Sequence, residues 1–190
     1  MRFSRSGFTF VEMLIVVIIL GMVAAFVAPK IDLTRFQVES SMQWIGLTLL
    51  AVERPAITQQ HNIIVQFDQT KQSLRIHEDR NNDGLVGAGE RVRAVSLGEA
   101  VVFGRGGATA MFIGPGPITF TKTVGGLPAV IFRRDGSASE AAGIYLTSTR
   151  AARYSGGYLQ DSRAILLDRA TGRASWYRYN NSNSTWVKGF

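Results

Sequence analysis

Residues 1–30 read MRFSRSGFTFVEMLIVVIILGMVAAFVAPK, and this stretch organises the rest of the chain. A short basic leader with Arg2 and Arg5 ends at Gly7. An aromatic-led apolar segment then runs from Phe8 to Ala28 and is stopped by Pro29 and Lys30. Roughly twenty apolar residues suffice for a helix to cross about 30 Å of hydrocarbon. Arginines on one flank hold that flank on the cytoplasmic side, so everything after Lys30 is expected outside. One carboxylate, Glu12, interrupts the apolar run. A carboxylate costs about 2.5–3.5 kcal/mol at mid-membrane and less near an end. A plain signal anchor gives Glu12 no role. A conventional signal peptide needs a small-x-small cleavage site after the apolar core, whereas Phe26-Val27-Ala28 places a bulky residue there and Pro29 follows. If the chain is cut after Gly7, Phe8 carries a positive amine and Glu12 stands one helical turn away, able to meet such an amine on this or a neighbouring subunit. Pairing offsets the cost of taking both charges out of water.

Gly7 followed by Phe8-Thr9-Phe10-Val11-Glu12-Met13-Leu14 closely resembles the prepilin leader of type IV pilins and type II secretion pseudopilins. The resemblance implies that a prepilin peptidase cuts between Gly7 and Phe8 and methylates the Phe8 amine. It also implies that Glu12 guides assembly with other pilin or pseudopilin subunits. The expected location is the inner membrane, crossed once, with a periplasmic C-terminal domain that becomes part of a pilus or pseudopilus.

The 190 residues are 46% hydrophobic and 18% charged. The part beyond the membrane segment is long enough for one globular domain with its own core. There is no cysteine, so a domain placed where disulfides are permitted uses none. The net charge of +7 falls to +5 without the leader arginines. This moderate basic bias is compatible with an anionic partner.

Past Lys30, Val38, Met42, Ile45, Leu49 and Val52 recur at steps of four and three, an apolar stripe along one helical face. Pro55 disfavours helical geometry in the residue before it. One long helix from about Thr9 to Arg54 is therefore expected, open to a kink at Pro29. The expected segments are a leader (1–7), a membrane and assembly helix (8–29), its amphipathic continuation (30–55) and a β-rich domain (56–190). In the last of these, Ile63–Phe67 and Ser73–His77 flank Asp68-Gln69-Thr70-Lys71 as a hairpin. Further expected strands are Val92–Leu97, Val101–Phe103, Ile118–Lys122, Ala129–Arg133, Gly143–Thr147, Ala164–Asp168 and Ala174–Tyr179. Many short strands behind one long helix predict an α+β, pilin-like fold with two small antiparallel sheets.

Ile131-Phe132-Arg133-Arg134-Asp135-Gly136-Ser137-Ala138, then a strand, then Asp168-Arg169-Ala170-Thr171-Gly172-Arg173, resembles the C-terminal part of the GspH family. That family contains minor pseudopilin H of the type II secretion system and the related FimT-type minor pilins. The resemblance implies a subunit present in few copies near the tip or initiation point of a filament.

Two motifs bear on chemistry. Catalysis is not expected: the histidines, His61 and His77, lack zinc-type spacing, and neither a phosphate loop nor a nucleophile elbow occurs. Asp79 to Glu90, DRNNDGLVGAGE, fits the calcium-loop pattern D-x-[DN]-x-[DN]-G-x5-E. Side-chain oxygens of Asp79, Asn81 and Asp83, the carbonyl of Leu85 and both oxygens of Glu90 would surround the ion. The competing reading is a turn at Asn82-Asp83-Gly84, and the expected flanks are strands rather than helices. Finally, Arg173, Trp176, Arg178 and Lys188 form a basic, aromatic C-terminus suited to single-stranded DNA. Gly172-Arg173 followed by Arg178 is similar to the Gly-Arg-rich motif of FimT-type pilins that bind DNA. The competing reading is a closing strand with Ala174, Trp176 and Arg178 on one face and Ser175, Tyr177 and Tyr179 on the other.

Overall fold

The computed structural model describes residues 7–27 and 32–189. The chain divides into two compact units, one up to Leu33 and one from Thr34 on. In the first, helix α1 spans Phe10–Val27. Its eighteen residues rise about 27 Å at 1.5 Å each, a little less than the roughly 30 Å of a hydrocarbon core. Among the described residues no helix is long and apolar enough to cross a membrane. The leader before Gly7 and the expected kink at Pro29 lie outside the described residues.

The second unit opens with helix α2, Leu33–Gln59. The predicted stripe is the face it buries: Val38, Met42, Ile45, Leu49 and Val52 all lie in the core. The helix does not stop at Arg54. It passes through Pro55 to Gln59, because Ala56 on the next turn is fully buried in the same core. A proline inside a helix forfeits one backbone hydrogen bond and strains the preceding turn, at about 3 kcal/mol, and burial of the last turn offsets that cost.

Two antiparallel sheets follow. In the first, the order is β3 (Val92–Ser96), β2 (Ser73–Asp79), β1 (Asn62–Asp68), β6 (Leu127–Phe132), β5 (Thr123–Val124). In the second it is β10 (Thr185–Lys188), β9 (Ala174–Asn180), β8 (Arg163–Leu167), β7 (Ala142–Ser148), β4 (Val101–Phe103). The α+β class and the two-sheet arrangement are therefore as the sequence predicts. The β1–β2 hairpin pairs Asp68 with Ser73 and Asn62 with Asp79. Ile118–Lys122 is not a strand; it contributes a single bridge from Ile118 to Ile144, and Phe120 turns into the core to stack on Phe67 at 4.8 Å between ring centroids. Elements outside the expected set are β5, just past the expected Ile118–Lys122 strand, β10, the 3-10 turn Leu159–Asp161, and the short helix α3, Thr149–Arg153, capped by Ser148.

One core cluster draws on α2 and on both sheets. A polar tie reinforces it: the fully buried guanidinium of Arg163 in β8 meets Glu39 of α2 at 2.8 Å and also donates to the Gln160 and Ser162 carbonyls. The two turns quoted above also meet. Gly172 has φ +64°, and a Cβ there would stand 2.5 Å from the Gly136 carbonyl oxygen. The Ala138 amide donates to the Arg169 carbonyl across the same seam. Asp135 and Asp168 each fold back on their own turn, held below the usual carboxylate range by hydrogen bonds from Ser137 and Thr171 respectively. Glycine is thus needed at position 172 for both its backbone conformation and its closeness to a second chain segment.

Candidate functional site

At the N-terminal end, Gly7 is exposed with open space around it, and Phe8 is exposed. Both are accessible to an enzyme acting on the bond between them. Thr9 and Glu12 bond reciprocally around the start of α1. The Glu12 carboxylate accepts from the Thr9 amide at 2.9 Å and from its hydroxyl at 3.1 Å, while the Glu12 amide donates to the Thr9 hydroxyl at 3.2 Å. This is a capping box, which satisfies amides that a helix start leaves without partners. Glu12 therefore has a local role at the start of α1. The signal was present in the sequence as Thr9-x-x-Glu12 ahead of an apolar run.

The side chains of α1 from Phe10 to Val23 are exposed all round; at 100° per residue Val11, Val16 and Val17 fall on three different sides of the helix, and each is exposed. Helix α2 has a second apolar face. Phe36, Trp44 and Leu47 are exposed on the side opposite Val38, Ile45 and Leu49. Burying one face is what docks α2 in its domain; the other is left for something else. The sequence stripe identified only the first face, because the periodicity of two opposed stripes largely cancels.

The loop from Asp79 to Glu90 closes on itself. Asp79, fully buried at the end of β2, accepts from the amides of Asp83 at 3.1 Å and Gly84 at 2.9 Å. Asp83 accepts from the Leu85 amide at 2.8 Å and from the Asn81 side-chain nitrogen at 2.7 Å. Glu90 accepts from the Gly87 amide at 3.0 Å. Asn82 and Gly84 both have positive φ, as a tight reversal requires. Among the described residues no three His, Cys, Asp or Glu side chains are grouped as a metal ion would need. In this arrangement side-chain oxygens of Asp79, Asn81, Asp83 and Glu90 accept backbone amides within the loop, and Leu85 takes part through its amide.

The C-terminal candidates are brought together only in part. Arg173 and Arg178 are exposed at either end of β9, and Lys188 is exposed on β10 opposite Tyr177. Arg54 of α2 lines a cavity with Arg173 and Trp176, and Arg178 lines a neighbouring one of about 310 Å³ that also reaches Trp176. Trp176 itself packs against the main core, with its indole nitrogen buried and without a hydrogen-bond partner. Trp186 donates to the Thr109 carbonyl and lies against Tyr145 and Tyr179. The predicted alternation of β9 holds: Trp176 faces the main core, and Tyr177 joins Tyr145, Ala164 and Leu166 on the other side. Both tryptophans thus have packing roles, and the cations flank them.

Residues 2–28 match the prokaryotic N-terminal methylation motif. The match ends beside the last described residue of α1 and includes Gly7, Phe8, Thr9 and Glu12. No curated protein matches the chain. Among solved structures, the minor pseudopilin EpsH from the type 2 secretion system of Vibrio cholerae is similar at 13% identity over 80% of this chain and 94% of that one, with a TM-score of 0.37.

Proposed function

We propose that this chain is a pilin-type structural subunit, made as a prepilin, cut after Gly7, methylated on Phe8 and assembled through its N-terminal helix. The observation that carries this reading is α1, a helix apolar and exposed on every side, lying within the stretch that matches a methylation motif. A helix apolar all round needs lipid or other helices about it. The segment from Phe8 to Ala28 serves as a single inner-membrane anchor before assembly, and the domain from Thr34 on lies outside the cytoplasm. The exposed Phe36, Trp44 and Leu47 of α2 extend the packing surface beyond the membrane.

Within this class the favoured role is that of a minor pseudopilin of a type II secretion system, resembling the GspH family in its two contacting turns, acting where the filament starts or ends. Mass spectrometry of the chain from its native membrane tests the first step: the mature protein should begin at N-methylated Phe8, and Gly7→Val should keep the leader. A mature chain starting elsewhere removes the reading. Loss of the chain should trap secreted proteins in the periplasm; unimpaired secretion would overturn the pseudopilin role. A FimT-type role in DNA uptake is the second reading, favoured by Arg54 and Arg173 lining one cavity beside Trp176.

A further inference from the structure

Strand β3 stands at an edge of the first sheet and is paired on one side alone, to β2. Its hydrogen bonds fix which backbone groups are left over. The Glu78 amide donates to the Arg91 carbonyl at 3.1 Å, and the Leu97 amide to the Gln72 carbonyl at 2.9 Å. Alternate residues of an antiparallel strand face its partner, so the backbone groups of Arg91, Arg93, Val95 and Leu97 face β2. Those of Val92, Ala94 and Ser96 face away from the sheet, and among the described residues no hydrogen bond reaches those groups. All three residues are exposed.

The other edges are closed or shorter. On β4 the Val101 amide donates to the Gly98 carbonyl, and the Phe103 amide to Oε1 of Gln72. Strand β5 is Thr123–Val124 alone, and Gln66 donates to its Val124 carbonyl. On β10 the same alternation turns only Trp186 and Lys188 outward. An open edge is a template for one more strand, held by main-chain hydrogen bonds and selected by the side chains it turns inward.

What lies under the edge selects that strand. Arg93 is opposite Ile76 in the β2–β3 register, so it is on the core face of the sheet with Val95. There a hollow of about 480 Å³ runs between β3 and α2. Val52, Pro55, Ile63 and Ile76 give it apolar walls, and its charged lining residues are Glu78, Arg91 and Arg93. Glu78 is already met by Arg80 at 3.3 Å and by Arg91 at 3.7 Å. Arg93 is exposed, and among the described residues it has no ion pair or hydrogen bond. An added strand turns every second side chain inward, so these side chains meet apolar walls and one uncommitted cation. A second copy of β3 does not fit that demand. It would gather Arg91 and Arg93 of both chains on one face of the seam, and like charges across a strand pair destabilise it.

We infer that β3 receives an extended segment of a partner protein as an additional strand. The inward side chains of that segment are an apolar residue, which enters the hollow, and a carboxylate two positions away, which meets Arg93. The contact is separate from the proposed function, which uses α1 and the exposed face of α2.

The test follows amide hydrogen exchange, residue by residue, in the full chain held in detergent micelles. The probe is a capped peptide in which valine, glutamate and valine alternate with threonine; the control peptide has lysine in place of glutamate. At about 10 mM probe, exchange at Val92, Ala94 and Ser96 should slow by about tenfold, as mass action gives for a Kd of about 1 mM. The Arg93 and Val95 amides, already bonded to β2, should change little. That alternation is what a bound strand produces and a general stabilisation does not. The lysine peptide should have at most a small effect, and Arg93→Glu should reverse the preference between the two peptides. Ala94→Pro removes an outward amide without touching the β2 pairing, which an edge strand tolerates, and should abolish the slowing at Val92 and Ser96. Arg93 is exposed, so its variant decides the matter even where Ala94→Pro loses its fold. No slowing at these amides, equal slowing at Arg93 and Val95, a preference that Arg93→Glu leaves unchanged, or slowing that persists in a folded Ala94→Pro chain each overturns the inference. None of these outcomes bears on cleavage after Gly7, which the mass of the mature chain tests.

Discussion

The indole of Trp176 on β9 lies directly against Gly46 on α2, so closely that a Cβ at position 46 would collide with it. This contact lets the second sheet approach the helix between Met42 and Leu49. Gly46→Ala is expected to displace the indole and destabilise the domain by about 1–3 kcal/mol, as overpacking typically does. At this size that corresponds to a fall in melting temperature of roughly 2–4 °C per kcal/mol. Thermal unfolding followed by circular dichroism checks it, and Gly46→Ala with Trp176→Phe should recover part of the loss.

Thr9 and Glu12 separate two roles that a single substitution would confuse. Glu12→Gln keeps an oxygen able to accept from the Thr9 amide but removes the charge. If docking depends on charge, Glu12→Gln and Glu12→Val should both insert in the membrane and both assemble poorly. Thr9→Val, which keeps the carboxylate and loses the hydroxyl, should assemble nearly normally. Incorporation of Glu12→Gln at the level of the unaltered chain would show that the helix cap is what matters.

Calcium at millimolar concentration is expected to leave the melting temperature unchanged, because the carboxylates of Asp79, Asp83 and Glu90 already serve backbone amides. Asp79→Ala should cost about 1–3 kcal/mol with or without the ion, since it removes the buried carboxylate that two amides of the turn donate to. A rise with calcium that the pair Asp79→Ala and Asp83→Ala abolishes would show that the ion rearranges the loop, by mass action on the folded state.

His77 makes stability depend on pH. Gln66 donates its amide nitrogen to the Val124 carbonyl, so its oxygen accepts from Nε2 of His77, and Nδ1 is left buried without a partner. Burial first, then Arg75, push the imidazole below its usual value, with Glu90 acting the other way. The unfolded chain therefore takes up this proton before the folded one does. The contribution is fully present above about 6.5, the unfolded value, and is lost as pH falls from there to the lowered folded value. Denaturant midpoints from pH 8 to 5 should show this slope, and His77→Gln should flatten it.

For DNA, the modest basic bias and the packed tryptophans lead to an expectation of weak binding. In a fragment from Lys30 on, affinity should fall with salt, and Arg173, Arg178 and Lys188 replaced together by alanine should flatten the log–log slope by about two to three units. Trp176→Ala should destabilise the domain rather than only weaken binding, because its ring is part of the core. Micromolar or tighter binding at about 150 mM salt, lost in the triple variant, would favour DNA uptake over secretion.

The sequence by itself determined the leader motif, the buried stripe of α2, the β1–β2 hairpin and the two-sheet α+β class. These are local: charge beside an apolar run, a repeat of three and four, and alternation around a turn each act within a few residues. Only the tertiary structure decided the rest. Helix α2 continues through Pro55 because a core built from both sheets receives Ala56. Ile118–Lys122 contains β-forming residues yet makes only one bridge, since Phe120 is needed against Phe67. Trp176 could have been a stacking platform by its neighbours in sequence, but its position over Gly46, 130 residues away in the chain, makes it a core residue. Phe112 is held out at the tip of a turn that Tyr145, more than thirty residues on, fixes by two hydrogen bonds. Each of these was settled by segments distant in sequence competing for the same space and the same hydrogen bonds, which no local pattern encodes.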